Sequence, residues 1–145
     1  MAYESFAVLT NEAKRRIGEM WATGKSYQVK YFSLSSGGHD PADPTIALAI
    51  DPASTTMPGA VIIFGPEPID GYEWTSDFCP VFLCRIETGE VIGSVSSVGL
   101  FAEIVYSPIP GDPEVGTRFL FAVHNRPLMV FTGTDSAEFR LNVFM

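Results

Sequence analysis

Charge is what this chain has least of. Lys, Arg, Asp and Glu make up 18% of its 145 residues, and nine basic residues against seventeen acidic ones leave a net charge of −8. A phosphate backbone is gripped by concentrated Lys and Arg. The one basic cluster, Lys14-Arg15-Arg16, lies in an amphipathic segment where a solvated face accounts for it, so no nucleic-acid partner is expected. Cysteine is scarce as well. Cys79 and Cys84 are spaced as CPVFLC, which does not match the usual zinc pairs. Residues five apart on one strand point to opposite faces, a poor geometry for a bridge, so two buried free thiols are expected. Long apolar runs are missing: none reaches the ~20 residues of a membrane helix. The opening MAYESFAVLTNEAKRR has no apolar core behind a basic region, which argues against Sec export. Neither membrane insertion nor a cofactor is expected.

Catalytic constellations are equally hard to find. His39, Asp40 and Asp43 share a Gly-rich loop but lack the regular ligand ladder of a calcium site, and read as a solvated loop. His124 follows an apolar strand and reads as a strand-end residue. Ser94, Ser96 and Ser97 lie in a strand without the context of a nucleophile elbow. Cys84, between Leu83 and Arg85, reads as buried, and no motif brings it to His124. The expectation is a protein that is not an enzyme.

Apolar residues, in contrast, are plentiful: 46% of the chain, with eleven Phe beside eleven Pro. One domain spanning 1–145 fits this length and buries roughly 68–70% of its unfolded surface. So little charge beside so many apolar residues points to a partner that covers part of the apolar surface, or to a large β core, which has the same composition. FAVLTNEAKRRIGEMWATGK predicts a helix capped by Thr10, with Glu12 in its first turn and Gly24 at its C-cap. Ala13, Ile17, Met20 and Trp21 form its apolar face. Strand patterns follow at 27–34, 60–64, 78–87, 91–107, 118–125, 127–131 and 137–145, with 88–90 a tight turn. SSGGHDPADP and GPEPIDG read as loops, 72–77 as irregular, and IALAI as either helix or strand. The sum is an α+β domain, an N-terminal amphipathic helix packed on a mostly antiparallel β-sandwich or curled sheet. Tyr72 and Trp74, beside Asp70 and Asp77, have the mix of rings and carboxylates found in glycan-contacting loops. The same rings also suit a protein interface or simple core packing.

Two segments carry a family resemblance. FAVLTNEAKRRIGEMWATGKSYQVKYFSLSSGGHDP resembles the N-terminal module of bacteriophage tail fibre and tail-collar proteins, in which an apolar residue and Leu-Thr lead into an amphipathic helix, a Gly, a strand and a Gly-rich loop. The matching positions are Leu9, Thr10, Ile17, Gly24, Phe32, Gly37 and Gly38. VGLFAEIVYSPIPGDPEVGTRFLFAVHNRPL is similar to the later part of that module, where a Gly-Leu-aromatic run opens a strand and the return strand ends in an Asn-x-Pro step, here Asn125-Arg126-Pro127. Together they cover nearly half of the chain. Ser36-Gly37-Gly38-His39-Asp40 stands where collar-type members often carry a Gly-Asp-Gly-like loop. Many members also continue into a shaft or receptor-binding tip, whereas this chain stops at Met145. The resemblance therefore implies a non-enzymatic virion protein, made in the host cytoplasm, that attaches fibres to a baseplate. It also implies self-association, commonly as a homotrimer, with a second interface to other baseplate or fibre proteins. The contact surface expected from the apolar strands and proline loop comprises Leu100, Phe101, Tyr106, Pro108, Pro110, Phe119, Phe121, Asn125 and Pro127. The alternative is a host-receptor glycan module using Tyr72 and Trp74.

Overall fold

The computed structural model describes residues 2–59, 61–77 and 79–144. Ala60, Phe78 and Met145, at the ends of the predicted strands 60–64, 78–87 and 137–145, lie outside the described residues, as does Met1. In chain order the elements are β1 (Ala2–Leu9), α1 (Asn11–Thr23), β2 (Ser26–Ser35), β3 (His39–Asp40), β4 (Asp43–Ala47), β5 (Ile62–Pro68), β6 (Gly71–Ser76), β7 (Cys79–Ile86), β8 (Ile92–Tyr106), β9 (Arg118–Thr132) and β10 (Ala137–Val143).

Eight strands form one sheet in the order β5-β2-β8-β9-β1-β10-β7-β6, and β3 pairs with β4 outside it. The α+β expectation is overturned: strands take 59% of the chain and helix 9%, in one short element. The reason lies in α1 itself. Of its side chains only Ala13 is fully buried, and Trp21 is 84% exposed. The apolar face predicted to pack as a layer instead borders an open groove. The sheet is also mixed, because β1 runs parallel to β10 from Ala2↔Glu138 to Ala7↔Val143 before its end pairs antiparallel with β9 at Val8↔Val123 and Leu9↔Ala122.

The two edge strands, β5 and β6, are consecutive in sequence and are joined by Ile69 and Asp70 alone. Ile69 donates its N–H to the Lys30 carbonyl (2.9 Å) and Asp70 to that of Leu83 (2.8 Å). This corner stitches one end of the sheet to the other, so the sheet curls back on itself. Phe32, Leu34, Val98, Leu100, Phe139 and Leu141 fill the core it encloses.

Several strand expectations also change. Residues 72–77, read as irregular, supply most of β6: Tyr72 and Trp74 alternate with Glu73 and Thr75, but all four are exposed and the strand has no buried face. The runs 118–125 and 127–131 form one strand through Pro127. Between Val95↔Met129 and Ser97↔Asn125, four steps of β9 oppose two of β8. That bulge accommodates a residue without an N–H.

Segment 36–59 folds over the outer side of β8 and β9. Met57 packs on Leu120 and Val123 there. A Cβ at Gly99 would overlap the Met57 sulfur, and one at Gly38 the Ser96 carbonyl oxygen. Hydrogen bonds pin the cover: Ser35 Oγ donates to the Pro58 carbonyl (2.5 Å), the Gly38 N–H to Ser96 Oγ (2.8 Å), and Asn125 Nδ2 to the Leu48 carbonyl (3.2 Å).

Candidate binding groove

On the inner side of β8 and β9 the core is packed, but none of the described residues covers the sheet beyond it. A groove of about 930 Å³ opens there, near the top of the range typical of ligand-binding clefts. One wall is α1, through Ile17, Met20 and Trp21, and the other is β6, through Tyr72 and Trp74. Its floor includes Val29, Phe82, Ala102, Phe119 and Phe121.

Each wall is held by local chemistry. Thr10 caps α1: its Oγ1 accepts the Ala13 N–H (3.1 Å) and donates to the Leu120 carbonyl (2.7 Å), anchoring the helix start to β9. Gly24, at φ 78°, ends the helix and donates its N–H to the Met20 carbonyl (2.9 Å), the left-handed cap that glycine adopts without a steric penalty. On β6, Tyr72 pairs with Phe82 and Trp74 with Pro80, which sets both rings on the groove side of the strand, while Glu73 faces the other side and meets Arg140 (2.7 Å). Tyr72 is 64% exposed and Trp74 56%. Three aromatic rings thus stand at the mouth of one groove. Sequence reasoning paired Tyr72 with Trp74 but assigned Trp21 to the core. The signal available was that Trp21 closes the helix's apolar face, where the contact with the sheet runs out.

Polar groups are few and placed at the margins. The Tyr27 hydroxyl is buried beside Arg16 and Glu19. Its own burial, followed by the charge of Glu19, raises its pKa and keeps it neutral. Lys30 holds Glu103 at 2.8 Å. Arg16 is ringed by Glu12 (3.4 Å), Glu114 (3.5 Å) and Glu19 (3.7 Å). Burial pulls its pKa down, but Tyr27 and these carboxylates outweigh that, so the net shift is upward.

Beyond the helix end, the loop PIPGDPEVG is braced from inside. Buried Lys25 reaches Glu114 (2.8 Å) and Asp112 (3.3 Å). Asp112 also accepts from Ser107 Oγ (2.7 Å) and from the Glu114 N–H (3.0 Å). The hydrogen bond to Glu114 raises the Lys25 pKa. The one from Ser107 lowers that of Asp112, and the one from Lys25 lowers that of Glu114. Pro108, Ile109, Pro110 and Val115 are left exposed on the braced loop.

The other expected contact residues scatter. Leu100 is wholly buried in the core and has no surface to offer a partner, and Phe119 shows only a small part of its ring, at the groove floor. Phe121 is half-buried in the groove, and Phe101 is half-buried against the Met57 cluster. Tyr106 is exposed at the end of β8, Pro127 is exposed in the β9 bulge, and Asn125 is tied into the outer cover. What looked like one apolar surface is a strand pair whose residues serve the core, the groove and the cover in turn.

The histidines and cysteines do not join the groove. His39 Nδ1 meets Ser96 Oγ at 2.8 Å, but Ser96 is wholly buried and offers no approach for a substrate. His124 Nδ1 bonds the Phe6 carbonyl at 3.0 Å, and burial lowers its pKa. Both cysteines are free and buried, and burial pushes the Cys84 thiol up. Among the described residues no group of three His, Cys, Asp or Glu side chains is placed to hold a metal, and no helix is long and apolar enough to cross a membrane. Comparison with protein families, curated proteins and solved structures finds no match to this chain.

Proposed function

We propose that the protein is a non-enzymatic structural component of a bacteriophage tail, an attachment module that joins baseplate and fibre proteins by docking surfaces. The observation that carries this reading is the unfilled groove. An apolar helix face and an aromatic strand face stand opposite each other with none of the described residues between them. Exposed apolar surface rimmed by polar groups is a mark of interaction sites. The braced PIPGDPEVG loop adds a second, pre-ordered contact that loses little entropy on docking. The resemblance of residues 6–41 and 98–128 to tail fibre modules supplies the identity of the assembly, and with it the expectation of a homotrimer in the virion.

The test is the composition of particles. Deleting the gene from the phage that carries it should yield tails without attached fibres, and the protein should be found in purified wild-type particles by mass spectrometry. Intact, fully infectious particles lacking the protein overturn the reading. Light scattering on the purified chain checks the trimer separately.

A second reading is a glycan-binding module of the same tail. Trp21 favours it, because it joins Tyr72 and Trp74 at the groove mouth where rings can stack on sugar faces. Glycan-array binding that Trp74→Ala abolishes supports this version, and silence on the array removes it.

A further inference from the structure

The two edges of the sheet are built differently. β5 carries Pro66 and Pro68, which lack N–H groups, and its register with β2 shifts twice. Prolines and irregular register are how sheets blunt an edge. β6 reads GYEWTS, with neither Pro nor Lys. Among the described residues its ladder partner is β7 alone, and Tyr72 to Ser76 are exposed. Between Tyr72 and Thr75, the backbone groups of β6 that face away from β7 are therefore a template for one more strand.

We infer that β6 is a docking edge that receives an extended segment of a partner protein, apolar at alternate positions and basic between them, which adds a strand to the sheet and fills the groove. Dimensions fit. The six residues of β6 run roughly 20 Å at about 3.3 Å each. The thirteen residues of α1 run roughly 20 Å at 1.5 Å each. A segment of about six residues spans both walls. The side chains it turns toward the groove meet Tyr72, Trp74 and the helix face, which selects apolar residues. Those it turns outward meet Glu73, with Asp70 and Asp77 flanking the strand. No Lys or Arg occurs between Lys30 and Arg85. Arg140 answers Glu73 but is shared with Glu4 and Glu138. The edge is acidic, and a basic partner complements it.

The same charges disfavour a second copy of this chain. Centred antiparallel pairing of β6 with β6 sets Asp70 opposite Asp77 at both ends, and directly opposed like charges destabilise a strand pair. The inference rests on the docking reading of the groove but not on the tail assignment, which particle composition tests separately.

The experiment uses the full chain and a synthetic heptapeptide, Val-Lys-Val-Lys-Val-Lys-Val, with its Val-Glu counterpart as control. Binding is followed by Trp fluorescence and by amide hydrogen exchange over residues 71–75. The expected result is saturable binding of the Lys peptide, at least tenfold slower exchange of the β6 amides that face away from β7, and no response to the Glu peptide. Asp77→Lys should weaken binding severalfold, and Trp74→Ala should weaken it at least tenfold, with both variants folded by circular dichroism. No binding of the Lys peptide, binding that leaves the β6 amides exchanging at their free rate, or equal binding of the Glu peptide overturns the inference. Protection that grows with protein concentration alone, with a doubled solution mass, also overturns it, because the occupant is then a second copy.

Discussion

The β8–β9 pair has two faces, and the chain treats them in opposite ways. On the outer face it spends segment 36–59 as a cover, seated so closely that Gly38 and Gly99 have no room for a methyl group and pinned by Ser35, Ser96 and Asn125. On the inner face the core closes around Leu100 and Ala102, then stops, and the space between α1 and β6 stays open. The larger core lies inside the sheet, and the cover adds a small cluster of Met57, Leu120 and Val123 outside it. The outer face is closed by the chain itself, whereas the inner one is closed by the core only as far as the groove.

That contrast can be broken by substitution. The largest effect is expected at Gly38, where a methyl group overlaps a backbone oxygen that cannot rotate away. Gly38→Ala should cost about 3 kcal/mol, the upper end for overpacking, measured by urea unfolding. It should also free 36–59 to proteolysis while leaving the secondary structure of α1 and β6 unchanged. Wild-type stability in this variant would show that the cover is not seated as described.

Next is Thr10→Ala, which removes both the helix cap and the tie from α1 to Leu120. A loss of about 1–2 kcal/mol is expected, with faster hydrogen exchange confined to the first turn of α1. Exchange spread evenly over the sheet would mean that the helix is not an independent wall.

The braced loop supplies a smaller, pH-dependent effect. Asp112 and Glu114 have lowered pKa values in the folded chain. A depressed carboxyl contributes stability above its unfolded pKa and loses it as pH falls through the folded one. The loop should therefore be fully braced near neutrality and loosen only below the ordinary values of 3.8 and 4.5. Carboxyl NMR titration checks this, and Lys25→Met should move Glu114 back up toward its ordinary value. An unchanged Glu114 titration would remove Lys25 as its partner.

The smallest stability effect is expected on the groove wall. Trp21→Ala, at a side chain 84% exposed, should change stability by no more than about 0.5 kcal/mol, because little of it leaves water on folding. A loss of 2 kcal/mol or more would place Trp21 in the core after all and close the comparison between the two faces.

Local signals were readable one residue at a time. Thr10 and Gly24 bound the helix as their cap chemistry requires, since caps depend on a few neighbouring backbone groups. The long strands at 26–35, 79–86 and 92–106 announce themselves by β-branched and aromatic runs. The edge strand β6 did not, because its alternation of Tyr72 and Trp74 with Glu73 and Thr75 spans only four residues and lacks a β-branched run. The groove was half visible, through Tyr72 and Trp74, and its other wall was assigned to the core because an apolar helix face looks the same whether a sheet or a partner is to cover it.

By itself, then, the sequence determined the helix caps, the tight turn at 88–90, the acidic character of the middle of the chain and the scarcity of ligating side chains. Each depends on residue chemistry within a few positions. The loops read at 35–44 and 65–71 instead hold β3 and parts of β4, β5 and β6. Only the tertiary structure decided that the sheet is mixed, that Ile69 and Asp70 join its two ends, and that α1 faces a groove rather than a packed layer. These depend on pairings such as Ala2↔Glu138 across almost the whole chain. Alternation sets which side of a strand is apolar, but only the partner strands and their register determine what that side meets.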